Sequence, residues 1–176
     1  MPEICVVNPD RDDSESMSFV IPSDMELVQE VLQRADEFAR RHGVPDDSKT
    51  NIVLRELLAN AIFHGNRNDR SLNVEGRIEH MGKQTMRIIV EDRGKGFDYS
   101  GLEIAIPDDP RHIQNRGYAL ISNLCKSLDF NERGNRVTAV VEERDAKHGL
   151  RNQPELHSLS KAGRAPGENK GKGNGP

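Results

Sequence analysis

Apolar positions along the chain change period several times. In SMSFVIP, Met17, Phe19 and Ile21 alternate with Ser18 and Val20 before Pro22 stops the run, which predicts a short strand at a sheet edge. The period then lengthens: Leu27, Val28, Val31, Leu32, Ala35, Phe38 and Ala39 recur at helical spacing as far as RHGVP, behind a capping-box pair at Ser23 and Glu26. A second helix is expected from a cap at Asp46 or Asp47, with Ile52, Val53, Leu54, Leu57, Leu58, Ala61 and Ile62 as its apolar face and Gly65 as its stop. Alternation returns at Leu72, Val74, Gly76 and Ile78 and continues in TMRIIVED, with MGKQ as the turn of a hairpin.

Between Tyr99 and Asn115 no period is clear, and Pro107 and Pro110 interrupt the stretch; a loop of that length in a compact domain is usually functional or mobile. GYALISNLCKSL resumes helical spacing at Leu120, Ile121, Leu124, Cys125 and Leu128, and SLDFNERGNRVTAVVEE predicts a closing hairpin around Gly134 and Asn135. The order strand, helix, helix, two strands, loop, helix, two strands belongs to the α+β class. It predicts a two-layer α/β sandwich, a mixed, largely antiparallel sheet with helices on one face. From Lys147 onward the chain is rich in Gly, Pro, Lys and Asn and cannot bury enough apolar surface to offset ordering entropy, so disorder is expected there. The chain thus divides into an N-terminal extension (1–16), one folded domain (17–146) and a tail (147–176).

Composition narrows the function classes. A chain of 176 residues, 34% hydrophobic and 31% charged, has room for one ordinary core. No apolar run reaches the length of a membrane span and the start MPEICVVNPDRDD does not look like a signal peptide, so a cytoplasmic protein without membrane contact is expected. Cys5 and Cys125 are far apart and form no CxxC pair, which supports neither a disulfide framework nor a cysteine zinc site. The net charge of −4 is uneven: residues 144–176 hold seven Lys or Arg against three acids, leaving about −8 on the remainder. Such a surface repels phosphodiester backbones, so direct nucleic-acid binding by the folded part is not expected.

The candidate chemistry begins in RELLANAIFHGN. Glu56, Asn60 and His64 recur every four residues on an otherwise apolar helix, which aims polar groups at one place. Two other segments stand out: EDRGKGFD at a strand end and NRGYAL at a helix start. Taken singly, each has a plainer reading, as a glycine turn with Asp92 bonding nearby backbone, a loop-to-helix junction, or an Asn60 that bridges backbone in the core. The row does not match an HExxH zinc motif.

In combination and order, the three segments resemble the N box, G1 box and G2 box of the GHKL (Bergerat-fold) ATPases. The pattern ELLANAIFHGN … VEDRGKGFD … NRGYALISNLCKSLDF … GNRVTAVV, with the opening SFVIPSDMELVQEV, is most similar to the anti-sigma-factor serine/threonine kinases of bacterial partner switching, over about Met17 to Glu143. The resemblance implies ATP and Mg²⁺ as cofactors, a STAS-type anti-sigma-factor antagonist as substrate and a sigma factor as partner; a homodimer is compatible with it. It implies that Asp92 accepts the adenine amine, where guanine's carbonyl would be repelled. Gly94 and Gly96 would let backbone approach the nucleotide, and Asn60 would be a neutral oxygen ligand of Mg²⁺. Gly117 at a helix start would present N–H groups to phosphate, with Arg116 adding positive charge. Glu56 would be the catalytic group that orients or deprotonates an incoming hydroxyl. His64 and Lys95 are weaker candidates for phosphate contact. The chain departs from the family at Ala119, where many relatives have a second glycine, and at Asn135, where a threonine is common. A binding module with little or no catalysis is therefore the alternative.

Overall fold

A computed structural model describes residues 15–44, 48–97 and 116–143. Strand β1 (Ser16–Pro22) is followed by helices α1 (Met25–Arg41) and α2 (Lys49–Asn60), the latter running into one π-helical turn over Ala61–Gly65. Strands β2 (Asn73–His80) and β3 (Thr85–Asp92) precede α3 (Arg116–Leu124), β4 (Ser127–Phe130) and β5 (Arg136–Glu142). The five strands form one sheet in the order β1-β2-β3-β5-β4, and every ladder in it is antiparallel. No parallel pair occurs among the described strands, so the mixed sheet expected from the sequence is an antiparallel one. β1 lies at the edge, as its proline requires.

Register sorts the side chains into rows. Met17, Ile78, Ile88 and Ala139 face one another across four strands, and Phe19, Gly76, Val90 and Val137 form the next row. All but Gly76 are buried apolar residues, because α1 packs on β1 and α2 on β3 and β5. Gly76 is required by packing: a Cβ there would lie 2.0 Å from the Phe19 ring. The third row reads Ile21, Val74, Asp92, so the alternation that buries Met86, Ile88 and Val90 also puts a carboxylate on the core face. The opposite face carries ion pairs, among them Glu91–Arg136 at 2.8 Å and Glu79–Arg87 at 3.0 Å.

Several local expectations change. The cap of α1 is Asp24, whose Oδ1 accepts from Glu26 N at 3.1 Å; Ser23 instead donates its hydroxyl to the Leu72 carbonyl at 2.8 Å. Ser48 caps α2, and Asp46 and Asp47 lie outside the described residues. Ile52 is exposed rather than buried, and Leu128 belongs to β4 because α3 ends at Leu124. The stretch from Tyr99 to Asn115, the first fourteen residues and the tail from 144 also lie outside the described residues.

Candidate functional site

The helix that carries Glu56 and Asn60 is anchored from its first turn. Glu143, the residue after β5, accepts from Thr50 N and Thr50 Oγ1, both at 2.9 Å, and from Lys49 N at 3.3 Å. A buried carboxylate thereby meets unpaired N–H groups at the positive end of the helix. With that end fixed, Val53, Leu54, Leu57 and Leu58 turn into the core. Glu56 and Asn60 are left on the rim of a cavity of ≈ 520 Å³, a volume typical of small-molecule sites.

Asp92 lines the same cavity from the end of β3. Its backbone is held on both sides by Asn135: Asp92 N donates to the Asn135 carbonyl at 2.9 Å, and Asn135 Nδ2 donates to the Asp92 carbonyl at 2.7 Å. Its Oδ1 accepts from Gly94 N at 2.8 Å. Two glycines crowd the carboxylate: a Cβ on Gly65 would lie 2.3 Å from it, and one on Gly94 would lie 2.1 Å from the Gly65 carbonyl. Asn66 closes the arrangement, accepting from Arg93 N at 2.8 Å while donating to Ser23 Oγ at 2.8 Å and to the Asn73 carbonyl at 2.9 Å. Burial raises the Asp92 carboxyl above its ordinary range, with the Gly94 N–H and the Arg133 charge acting against the shift.

Beyond Asp92 the wall turns apolar. Phe97 and Tyr118 stack with ring centroids 5.8 Å apart, Phe130 packs edge-on against both at 5.5 Å, and Val90 and Val137 continue the lining. Burial, and then the Asp92 charge, pushes the Tyr118 hydroxyl up to about 12, so it stays protonated at neutral pH. Gly96, at φ +77°, brings this wall against the β4–β5 turn, where a Cβ would meet the Arg133 carbonyl at 1.8 Å.

The structure therefore gathers Glu56, Asn60, Asp92, Gly96 and Gly117 on one cavity, with Gly94 one contact behind through Asp92. A Cβ built on Gly117 would lie 3.3 Å from Glu56 Oε2 and 3.4 Å from both amide atoms of Asn60, so helix α3 starts directly against the polar face of α2. Arg116 opens α3, and its side chain lies outside what is described, as does that of Ala119. His64 lines the cavity from the π-helical turn and is exposed; Lys95 is exposed and does not line it.

These residues fit a nucleotide and its metal. Asn60 Nδ2 is buried with no hydrogen-bond partner among the described residues, an amide end open to a further ligand. Amide oxygen and nitrogen exchange by a flip about the terminal torsion, so the group can present oxygen to a hard cation. One carboxylate oxygen of Asp92 has a protein partner, and a flat apolar wall stands beside it. Gly65, Asn66, Phe97 and Tyr118 were not singled out as site residues by sequence reasoning, although all four lie within the segments RELLANAIFHGN, EDRGKGFD and NRGYAL.

The family model of the histidine kinase-like ATPase domain matches residues 21–141. No curated protein sequence matches the chain significantly.

Proposed function

The chain belongs to the histidine kinase-like ATPase domain family, an ATP-binding family, and on that premise we propose that it is an Mg²⁺-dependent protein serine/threonine kinase. Its substrate is a STAS-type anti-sigma-factor antagonist, and modification of that antagonist leaves the kinase free to hold a sigma factor. The observation that carries the reading is the Glu56 side chain. It lines the cavity one helical turn before Asn60, its Oε2 lies 3.3 Å from where a Gly117 Cβ would be, and no described residue donates to it. Glu143, by contrast, spends its carboxylate on the first turn of α2.

Bound Mg·ATP would supply the transferable phosphoryl group and the metal charge spread over its phosphates. The rest falls to the chain. Asp92 would accept from the base edge and reject a carbonyl there, Asn60 would offer its amide oxygen to the metal, and the first N–H groups of α3, with the positive charge of Arg116, would hold phosphate. Glu56 orients the attacking hydroxyl and takes its proton. Glu56→Ala should therefore leave ATP affinity close to wild type and lower phosphoryl transfer by about 10²–10⁴-fold, the usual range for a positioned base. Asn60→Ala should weaken both binding and transfer. Transfer of label from γ-labelled ATP to a cognate antagonist, with ATP affinity from calorimetry and folding from circular dichroism, checks both. Undiminished transfer by folded Glu56→Ala sinks the assignment.

A second reading, a sequestering module with nucleotide as a structural ligand, draws on Asn135. Its amide is spent on Asp92 and Asn131, so the usual threonine hydroxyl has no substitute there. Absence of label transfer to any antagonist, with ATP still bound, favours it.

A further inference from the structure

At the far end of the sheet a second polar cluster has no part in the nucleotide site. His80 closes β2, and its N–H donates to the Glu15 carbonyl at 2.7 Å, which brings their side chains together: His80 Nδ1 lies 2.6 Å from Glu15 Oε2. His42, the residue at the C-terminal cap of α1, leans over them with its ring centroid 4.4 Å from that of His80. Both imidazoles are largely covered, with side-chain exposures of 12% and 17%, whereas Glu15 is 58% exposed and free to adjust.

The tautomer of His42 follows from its neighbours. Its Nδ1 lies 2.9 Å from the Phe38 carbonyl, and a carbonyl only accepts, so Nδ1 carries the proton. In the neutral ring Nε2 is then a bare lone pair, and it lies 3.9 Å from Glu15 Oε2, acceptor toward acceptor. A cation between them resolves that opposition. An imidazole whose other N–H is held by a backbone carbonyl is also the usual arrangement of a metal-bound histidine. The three donor atoms lie within 4.8 Å of one another, and small shifts of Glu15 and of the two imidazole rings bring them to the roughly 3.3 Å edges that bonds of about 2.0–2.2 Å to one tetrahedral ion require.

We propose that Glu15, His42 and His80 bind one divalent transition-metal ion, with two imidazoles and a carboxylate suited to Zn²⁺ and solvent completing the shell. Mg²⁺, which prefers an all-oxygen shell, is not its ion. The site stands about 20 Å from Asp92, judged by the six residue steps along β2 from Val74, the partner of Asp92, to His80, and it clasps the entry of β1 to the exits of α1 and β2.

The test uses the full chain, stripped with a chelator, free of nucleotide, and titrated with Zn²⁺ against a chromogenic zinc indicator. Wild type should bind one equivalent that Glu15→Gln, His42→Gln and His80→Gln each weaken, by at least the roughly 10–100-fold that loss of a supporting partner costs a metal site. Glu15→Gln is exposed enough to leave the fold intact, so Zn²⁺ should raise the wild-type melting temperature and leave that of this variant unchanged. Nitrogen-15 spectra should place the metal on His42 Nε2. Zinc uptake and melting shift equal in wild type and all three folded variants, or no uptake at micromolar zinc, overturns the site; Glu56→Ala should bind zinc as wild type does.

Discussion

Asp92 is a side chain costly to the fold that, in the proposed function, selects the base. It is 8% exposed, and desolvation lifts its carboxyl above the ordinary value near 3.8. Between the ordinary and lifted values the folded chain keeps a proton that the unfolded chain releases, so stability falls as pH rises through that window and the full cost is present above it. Asp92→Asn keeps an oxygen for the Gly94 N–H and removes the charge. Its melting temperature should therefore exceed wild type at pH 7, with the gap closing as pH falls below the window. The same change should erase preference for ATP over GTP, worth about 1–3 kcal/mol for one complementary buried hydrogen bond, as calorimetry with the two nucleotides would measure. A variant no more stable and still selective contradicts both halves of this account. Asp92 was readable through the resemblance of EDRGKGFD, in order with the other two segments, to the G1 box, since alone the segment reads as a glycine turn. Asn135 was readable only as a departure from the family, because its use depends on a backbone 43 residues away.

At the scale of elements, the positions of helices and strands follow from periodicity, and the ends do not. Caps were misplaced at Ser23 and at Asp46 or Asp47 because several neighbouring residues can accept from a first-turn N–H, and tertiary partners decide among them. Ser23 is drawn instead to Leu72 and Asn66. The strongest brace of α2, Glu143, cannot be seen by any local pattern, since it arrives from 93 residues along the chain. Glu143→Ala strands Thr50 N and Oγ1 in a buried setting. It should cost at least about 1.5–3 kcal/mol in denaturant unfolding, the range for hydrogen bonds to a charged group. ATP affinity should drop with it, because the same helix presents Asn60. A loss confined to stability would show that α2 keeps its place without that anchor. The π-helical turn at Ala61–Gly65 was likewise invisible: its residues read as ordinary helix, and only the Asn66 N–H reaching the Ala61 carbonyl at 2.8 Å reveals the wider turn.

At the scale of the molecule, the last described strand ends at Glu142. Removal of residues 147–176, whose composition has little to bury, should leave ATP affinity within about twofold and the melting temperature unchanged. A marked loss on truncation would assign the tail a share in the site. The sheet order carries a separate consequence. Residues 15–97 hold Glu56, Asn60 and Asp92, while residues 116–143 hold Gly117, Tyr118, Gly134 and Asn135, and the two halves meet along the β3–β5 ladder. Neither half contains a whole cavity. The protein is thus divided like a mould in two pieces whose parting line runs through the cavity. A ligand seated there is a rivet: at a hundred times its dissociation constant it adds about 2.7 kcal/mol against separation, even after the backbone is cleaved between residues 98 and 115, provided it has no affinity for either piece alone.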